Sequence, residues 1–375
     1  VMLPYGRQSI DRSDVEAVIA TLGSDWLTTG PRVAQFEKDI EAVAGAPATT
    51  VTNGTTALHA AYAAAGVGPG DEVVVTPMTF VATASSASLF GATVVFADVE
   101  DETANLDPAA VEAVVTDRTR AIAAVDYAGH PAEYDALRKI AEPLEAVLIG
   151  DAAHAIGSTY HGRPVGTLAD LTTFSFFPTK NLTTAEGGAV ASTSPELLER
   201  ARTFKNIGMV RDPARLRRPD EGGWWYEVHG YGLNYRLPDV LCALGSSQLS
   251  RLAQFKAKRQ YLTARYDELL ADVPGLRLPI QREGVDPMRH LYPVRILDGR
   301  RREVYDRLRA AGIGVQVNYI PVYWHPVYED LGYRRGMCPV AERFYAEELS
   351  LPLFVDLTDD DQDRVVEELR TILIG

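Results

Sequence analysis

Between about Ser13 and Arg200 the chain alternates two hydrophobic periods. Helical spacing begins at Ser13–Thr21 and returns in the Ala-rich stretch Thr55–Ala65, while the intervening runs are short, apolar and β-branched. Glu72–Val75, Thr93–Ala97, Ala121–Val125 and Ala146–Ile149 are too short for buried helices and read as strands. Strands apolar on both faces need cover on both sides, so the alternation predicts an α/β fold with a mostly parallel sheet. Ligands of such a sheet gather at the carboxyl ends of its strands. Gly66, Gly68 and Gly70 look like a nucleotide loop, but they follow a helix and precede a strand. That order fits a helix stop and not a dinucleotide fingerprint.

The rhythm lapses from Arg211 to Gly232, where Arg, Pro, Asp and Gly precede Trp224, Trp225 and Tyr226. This stretch predicts a loop, with a substrate or subunit contact and plain disorder both open. Beyond Pro238 a helical region runs to about Ala271, followed by a strand at His290–Ile296 and a helix at Arg301–Ala311. A strand near Val315–Asn318 and a closing helix from Asp359 complete a smaller α+β unit. The expected division is a large unit over 1–240 and a small one over 241–375, with 1–12 packing on the small unit.

Composition narrows the classes. The 375 residues are 46% hydrophobic and 23% charged, enough for a sizeable core in two or three folding units. A net charge of −14 argues against a surface built for nucleic acid or anionic lipid. Cys242 and Cys338 are far apart and lack companions at metal-ligand spacing, so neither a disulfide framework nor a metal site is expected. No leader pattern opens the sequence and no long apolar run occurs, which predicts a cytoplasmic protein without a membrane span.

Chemistry concentrates in three segments. Thr172–Gly188, TTFSFFPTKNLTTAEGG, reads as a strand that breaks at Pro178 and delivers Lys180 into a polar, Gly-terminated loop. Desolvation there lowers an amine's pKa and yields the neutral form that Schiff-base chemistry needs, although a solvated loop lysine fits the local pattern as well. Val147–Gly157, VLIGDAAHAIG, sets Asp151 just past an apolar strand and His154 a helical turn beyond it. A carboxylate at that place can pair with a protonated pyridine nitrogen and make the ring a better electron sink. It can equally be a helix N-cap, and His154 a core histidine donating to a carbonyl. Thr52–Ala60, TNGTTALHA, opens a helix with Gly54, Thr55 and Thr56, an N-terminus suited to phosphate or to ordinary capping.

The ordered series NGTTALHA, TFVATA, DAAHAIGS, FSFFPTKNLTTAEGG and GYGLNYRLPDVLCALG, spread over nearly the whole chain, resembles the DegT/DnrJ/EryC1/StrS family of sugar aminotransferases. That resemblance implies fold type I of the pyridoxal-phosphate enzymes, with a seven-stranded mixed sheet. It implies pyridoxal 5'-phosphate as cofactor, Lys180 as its Schiff-base lysine and Asp151 as the partner of its ring nitrogen. Gly54, Thr55 and Ser175 resemble the phosphate contacts, with Thr56 close by. Phe80 takes the place of the aromatic residue that stacks on the ring, and His154 that of a polar neighbour of the cofactor. Asn234 resembles an asparagine that reaches the phosphate from a neighbouring subunit, which implies a homodimer with shared sites. Family members that act as sugar dehydrases carry histidine where Lys180 stands, so the lysine favours amino transfer.

VDYAGH, TTAEGGAV, HLYPVRI and QVNYIPVYWHPVY resemble aminotransferases of pseudaminic acid synthesis. The implied reaction is amination at C4 of a UDP-linked 4-keto-6-deoxy sugar, with L-glutamate as donor. Tyr319, His325 and Lys205 are candidate substrate contacts, against packing for the first two and ordinary helix surface for Lys205. FPTKN and the Trp-rich loop depart from that pattern, which leaves open a dTDP-keto-deoxysugar or a keto-cyclitol as substrate. A cofactor-binding protein without catalysis is the reading of another class.

Overall fold

A computed structural model describes residues 2–375. Seven strands form the main sheet: β1 Ala48–Val51, β2 Glu72–Val75, β3 Thr93–Phe96, β4 Thr119–Val125, β5 Val147–Asp151, β6 Leu171–Ser175 and β7 Gly188–Ala191. Their spatial order is β1-β7-β6-β5-β4-β2-β3. The strands from β3 to β6 run parallel, and β7 is antiparallel to both of its neighbours. Alternate side chains go to opposite cores: Val74, Ile122 and Leu148 pack on one face, and Val73, Val75, Ala121, Ala123 and Ile149 on the other. Burial on both faces is why these strands lack polar alternation, and it is the mostly parallel α/β sheet that the sequence predicts.

Two local devices aim the helices at the strand ends. The helix Gly54–Ala64 begins in a reciprocal capping box in which the Asn53 side chain accepts from the Thr56 amide and the Thr56 hydroxyl accepts from the Asn53 amide. The region after Pro238 is two helices rather than one. Asp239–Ser250 ends at Arg251, whose φ of −105° and ψ of 3° break the ladder, and Leu252–Leu270 resumes in a new direction. The first packs on the helices Arg12–Leu22 and Pro31–Ala44, and the fully buried Asp239 carboxylate caps the latter, accepting from the Gly30 and Arg32 amides at 2.8 Å each. The second sends Leu262, Tyr266 and Leu270 into a separate core shared with the strands Tyr292–Ile296 and Glu348–Leu351. Leu3 joins that core and bridges to Ile313.

One expectation needs correction. Val315–Asn318 is not a strand: it makes one isolated bridge, Gln316 to Ser350, and the Asn318 amide turns instead to the buried Glu348 carboxyl at 2.7 Å. The Arg211–Gly232 loop has a paired base, with Met209–Val210 antiparallel to Glu227–Val228, and a tip on which Trp224 stands exposed. Cys242 and Cys338 are free and buried. Among the described residues no helix is long and apolar enough to cross a membrane, and no cluster of metal-ligating side chains occurs.

Gly245 lies where Asp239–Ser250 crosses the ring of Phe36, and a Cβ there would come within 2.3 Å of it. Phe36 in turn packs on Phe176, two positions before Pro178. Gly245→Ala should therefore cost about 1–3 kcal/mol through overpacking, read as a lower thermal midpoint in calorimetry.

Candidate active site

The carboxyl ends of β5 and β6, the start of the helix Gly54–Ala64, the turn after Pro178 and the segment Gln316–Ile320 surround one cavity of about 670 Å³. Strand register sets the arrangement, because Asp151, the last residue of β5, pairs with Thr173 on β6. Ser175 then ends β6 two residues on, and Pro178 turns the chain so that Lys180 enters the same space. Asn181 pins that turn by donating from its buried amide to the His154 carbonyl at 2.7 Å.

Lys180 is half-buried, and desolvation pulls its pKa down to about 8 against the attraction of Asp151. It is not a solvated loop lysine. Burial pushes the Asp151 carboxyl upward, with partial relief from the Thr83 hydroxyl at 2.7 Å, the Ala153 amide at 3.2 Å and the charge of Lys180. No helix follows Asp151, so the helix N-cap reading does not hold; its bond to Ala153 closes a turn. His154 differs from a core histidine donating to a carbonyl. Its Nδ1 accepts from the Ala128 amide at 3.2 Å, which leaves the proton on Nε2, 3.0 Å from the Tyr319 hydroxyl. Burial drives its pKa well below the usual value and keeps the ring neutral.

Around this pair lie features suited to a flat, phosphorylated ring. The first amides of a helix have no partner within it. Here the Asn53 side chain and carbonyl take those of Thr56 and Ala57, which leaves Gly54 and Thr55 facing the cavity. A Cβ on Gly54 would meet the Ser175 Cβ at 2.8 Å, so only glycine lets the helix come this close to β6. Phe80 opens 60% of its surface at the cavity wall, 6.4 Å from the Tyr319 ring.

Of the residues singled out in the sequence, Gly54, Thr55, Phe80, Asp151, His154, Ser175, Lys180, Tyr319 and His325 line the cavity. Thr56, Lys205 and Asn234 do not. The Thr56 hydroxyl is spent in the capping box. Lys205 is turned away, donating to Glu37 at 3.1 Å and to the Thr50 carbonyl at 2.8 Å, which corrects its expected place at the substrate. Asn234 is exposed and bridges to Asn206. Reading the sequence missed Tyr5, Thr79, Thr83, Glu186 and His290, all at the cavity. Thr79, Thr83, Glu186 and His290 stand inside motifs already noted, TFVATA, TTAEGGAV and HLYPVRI; Tyr5 arrives by tertiary packing that has no local signature.

Fold and cavity together define a pyridoxal-phosphate-dependent aminotransferase. The chain belongs to the DegT/DnrJ/EryC1/StrS aminotransferase family, whose sequence model matches residues 8–370. It is 38% identical to the spore coat polysaccharide biosynthesis protein SpsC of Bacillus subtilis, over 100% of this chain and 97% of that one. It is 36% identical to the UDP-4-amino-4,6-dideoxy-N-acetyl-beta-L-altrosamine transaminase of Campylobacter jejuni, over 99% and 98% of the two chains. The pyridoxal-phosphate form of Spr1654 from Streptococcus pneumoniae, assigned as a sugar aminotransferase, superposes with a TM-score of 0.93 at 29% identity, over 100% and 99% of the chains. The residues present fit the cofactor: free helix amides for a phosphate, an exposed aromatic face, and an acid and an amine on the same cavity.

The lowered pKa of Lys180 has a chemical consequence. Below about pH 8 its amine is protonated and unreactive; above it the amine is free, while surface lysines stay protonated to about pH 10.4. Acylating the cofactor-free protein across this range and reading lysine modification by mass spectrometry should give Lys180 a midpoint near 8, about two units below the surface lysines.

Proposed function

We propose that the protein, as a cytoplasmic homodimer, transfers an amino group from L-glutamate to C4 of a UDP-linked 4-keto-6-deoxy-N-acetylhexosamine. The observation that carries this reading is the convergence of the Lys180 amine and the Asp151 carboxyl on one cavity. The Campylobacter jejuni relative, a transaminase named for a UDP-linked 4-amino-4,6-dideoxy sugar, supports the sugar class. A division into a large unit to residue 240 and a small unit beyond it belongs to the same proposal.

Pyridoxal phosphate, when bound, supplies a ring that draws electron density from the carbon that must lose its proton. Lys180 is assigned two tasks, holding the cofactor and moving a proton at Nζ. A pKa near 8 suits the second, because the amine can both take and return a proton near neutrality. The two half-reactions use it in opposite directions. Asp151 is assigned the positive ring nitrogen, which would relieve the cost of its own burial. The Gly54 and Thr55 amides would hold the phosphate, and Phe80 would cover one ring face. The neutral His154 would orient Tyr319 at the substrate side. Asn234, exposed here, would complete the phosphate site of the neighbouring subunit.

Incubation with L-glutamate and UDP- or dTDP-linked 4-keto-6-deoxy sugars should give amino sugar from the UDP compound, followed by chromatography and mass spectrometry. Lys180→Ala should lower turnover by at least about 100- to 10,000-fold with the fold intact. Product from the dTDP sugar alone would overturn the nucleotide assignment, and normal turnover by Lys180→Ala would overturn the role of that residue.

A further inference from the structure

Among the described residues Asp151 reaches two hydrogen-bond donors, and the shorter contact comes from a side chain to which no role has been given. Thr83 lies on the helix Ala82–Ser88 and is 1% exposed; its hydroxyl is 2.7 Å from Asp151 Oδ2. Thr79, four residues earlier and 3% exposed, places its own hydroxyl 2.7 Å from that of Thr83. The Tyr62 hydroxyl fixes the Thr83 main chain by donating to its carbonyl at 2.7 Å.

Proton counting sets the direction of this chain. A carboxylate only accepts, so Thr83 gives its single proton to Asp151. With that proton committed, Thr83 can only accept from Thr79, and the sequence runs Thr79 to Thr83 to Asp151. Hydrogen bonds in series polarise one another, so the second hydroxyl strengthens the first. A donor held on a carboxylate oxygen makes the carboxylate less basic. It also fixes the plane in which the other oxygen points, and among the described residues that oxygen takes the longer Ala153 amide bond, at 3.2 Å.

We propose that Thr79 and Thr83 form a two-hydroxyl relay that aims Asp151 and keeps the proton it shares with the cofactor on the ring nitrogen. The inference rests on the reading that Asp151 faces that nitrogen. Thr83 acts through Asp151 and is a positioning residue. Without its donor the carboxylate becomes more basic, draws the shared proton to itself, and leaves the ring a weaker electron sink.

The test uses the holoenzyme reconstituted with pyridoxal phosphate labelled with nitrogen-15 in the ring. Thr83→Val, which keeps the shape and removes the donor, should move the ring-nitrogen resonance toward that of unprotonated pyridine. It should also lower kcat by about 10- to 100-fold, the loss typical of a hydrogen bond to a charged group, with KM nearly unchanged. Thr83→Ser should restore both, and Thr79→Val should shift the resonance the same way by less. Asp151→Asn separates the two layers of the argument. A wild-type resonance in Asp151→Asn sinks the placement of Asp151 and the relay with it. A shifted resonance there, together with a wild-type resonance in Thr83→Val, sinks the relay alone. Should Thr83→Val not fold, Thr79→Val decides, since it leaves the bonds to Asp151 in place: a wild-type resonance in that variant overturns the relay.

Discussion

Withdrawing an amine and a carboxyl from water into one cavity, without closing them into an ion pair, is the constraint on which the rest of this structure depends. Burial disfavours the charged form of each, so Lys180 titrates near 8 and Asp151 is pushed upward. Each feels the other through space, and neither is satisfied by it. A ligand that brings an aldehyde to the amine and a basic ring nitrogen to the acid removes both penalties at once. Pyridoxal phosphate is such a ligand, and the cost of leaving the site without it is part of what makes the site selective.

The fold supplies this arrangement through the ends of its strands. Parallel neighbours place Asp151 beside Thr173, and two further residues bring β6 to Ser175 at the lip of the cavity. The helix Gly54–Ala64 can approach that lip only because position 54 carries no Cβ. The opposite wall comes from the far end of the chain, where Glu348 and Ser350, together with Tyr127 from the loop after β4, bind Asn318 and so hold Tyr319 over the site. A catalytic geometry assembled from residues so distant in sequence needs the cores on both faces of the sheet and the separate C-terminal core intact.

Where chemistry depended on local pattern, the sequence made it readable. The apolar runs became strands because both of their faces are buried, and Lys180 stood out because a strand, a proline and a polar loop converge on it. Thr56 was legible in two ways, and its capping role prevailed because its hydroxyl and the Asn53 side chain satisfy two amides reciprocally. Lys205 was misplaced because its partner, Glu37, lies 168 positions away, a pairing that no local spacing reveals. The Val315–Asn318 strand failed for a similar reason: a buried carboxyl outcompeted a neighbouring strand for the Asn318 amide. Thr83 sat in a motif already noted, yet its bond to Asp151 spans 68 positions and appears only in three dimensions.

The claim beneath all of this is that one particular amine carries the cofactor. Reducing the reconstituted protein with borohydride and mapping the cofactor-bearing peptide by mass spectrometry tests it most directly. The account predicts a single adduct on Lys180; an adduct on any other lysine, or none, would contradict it.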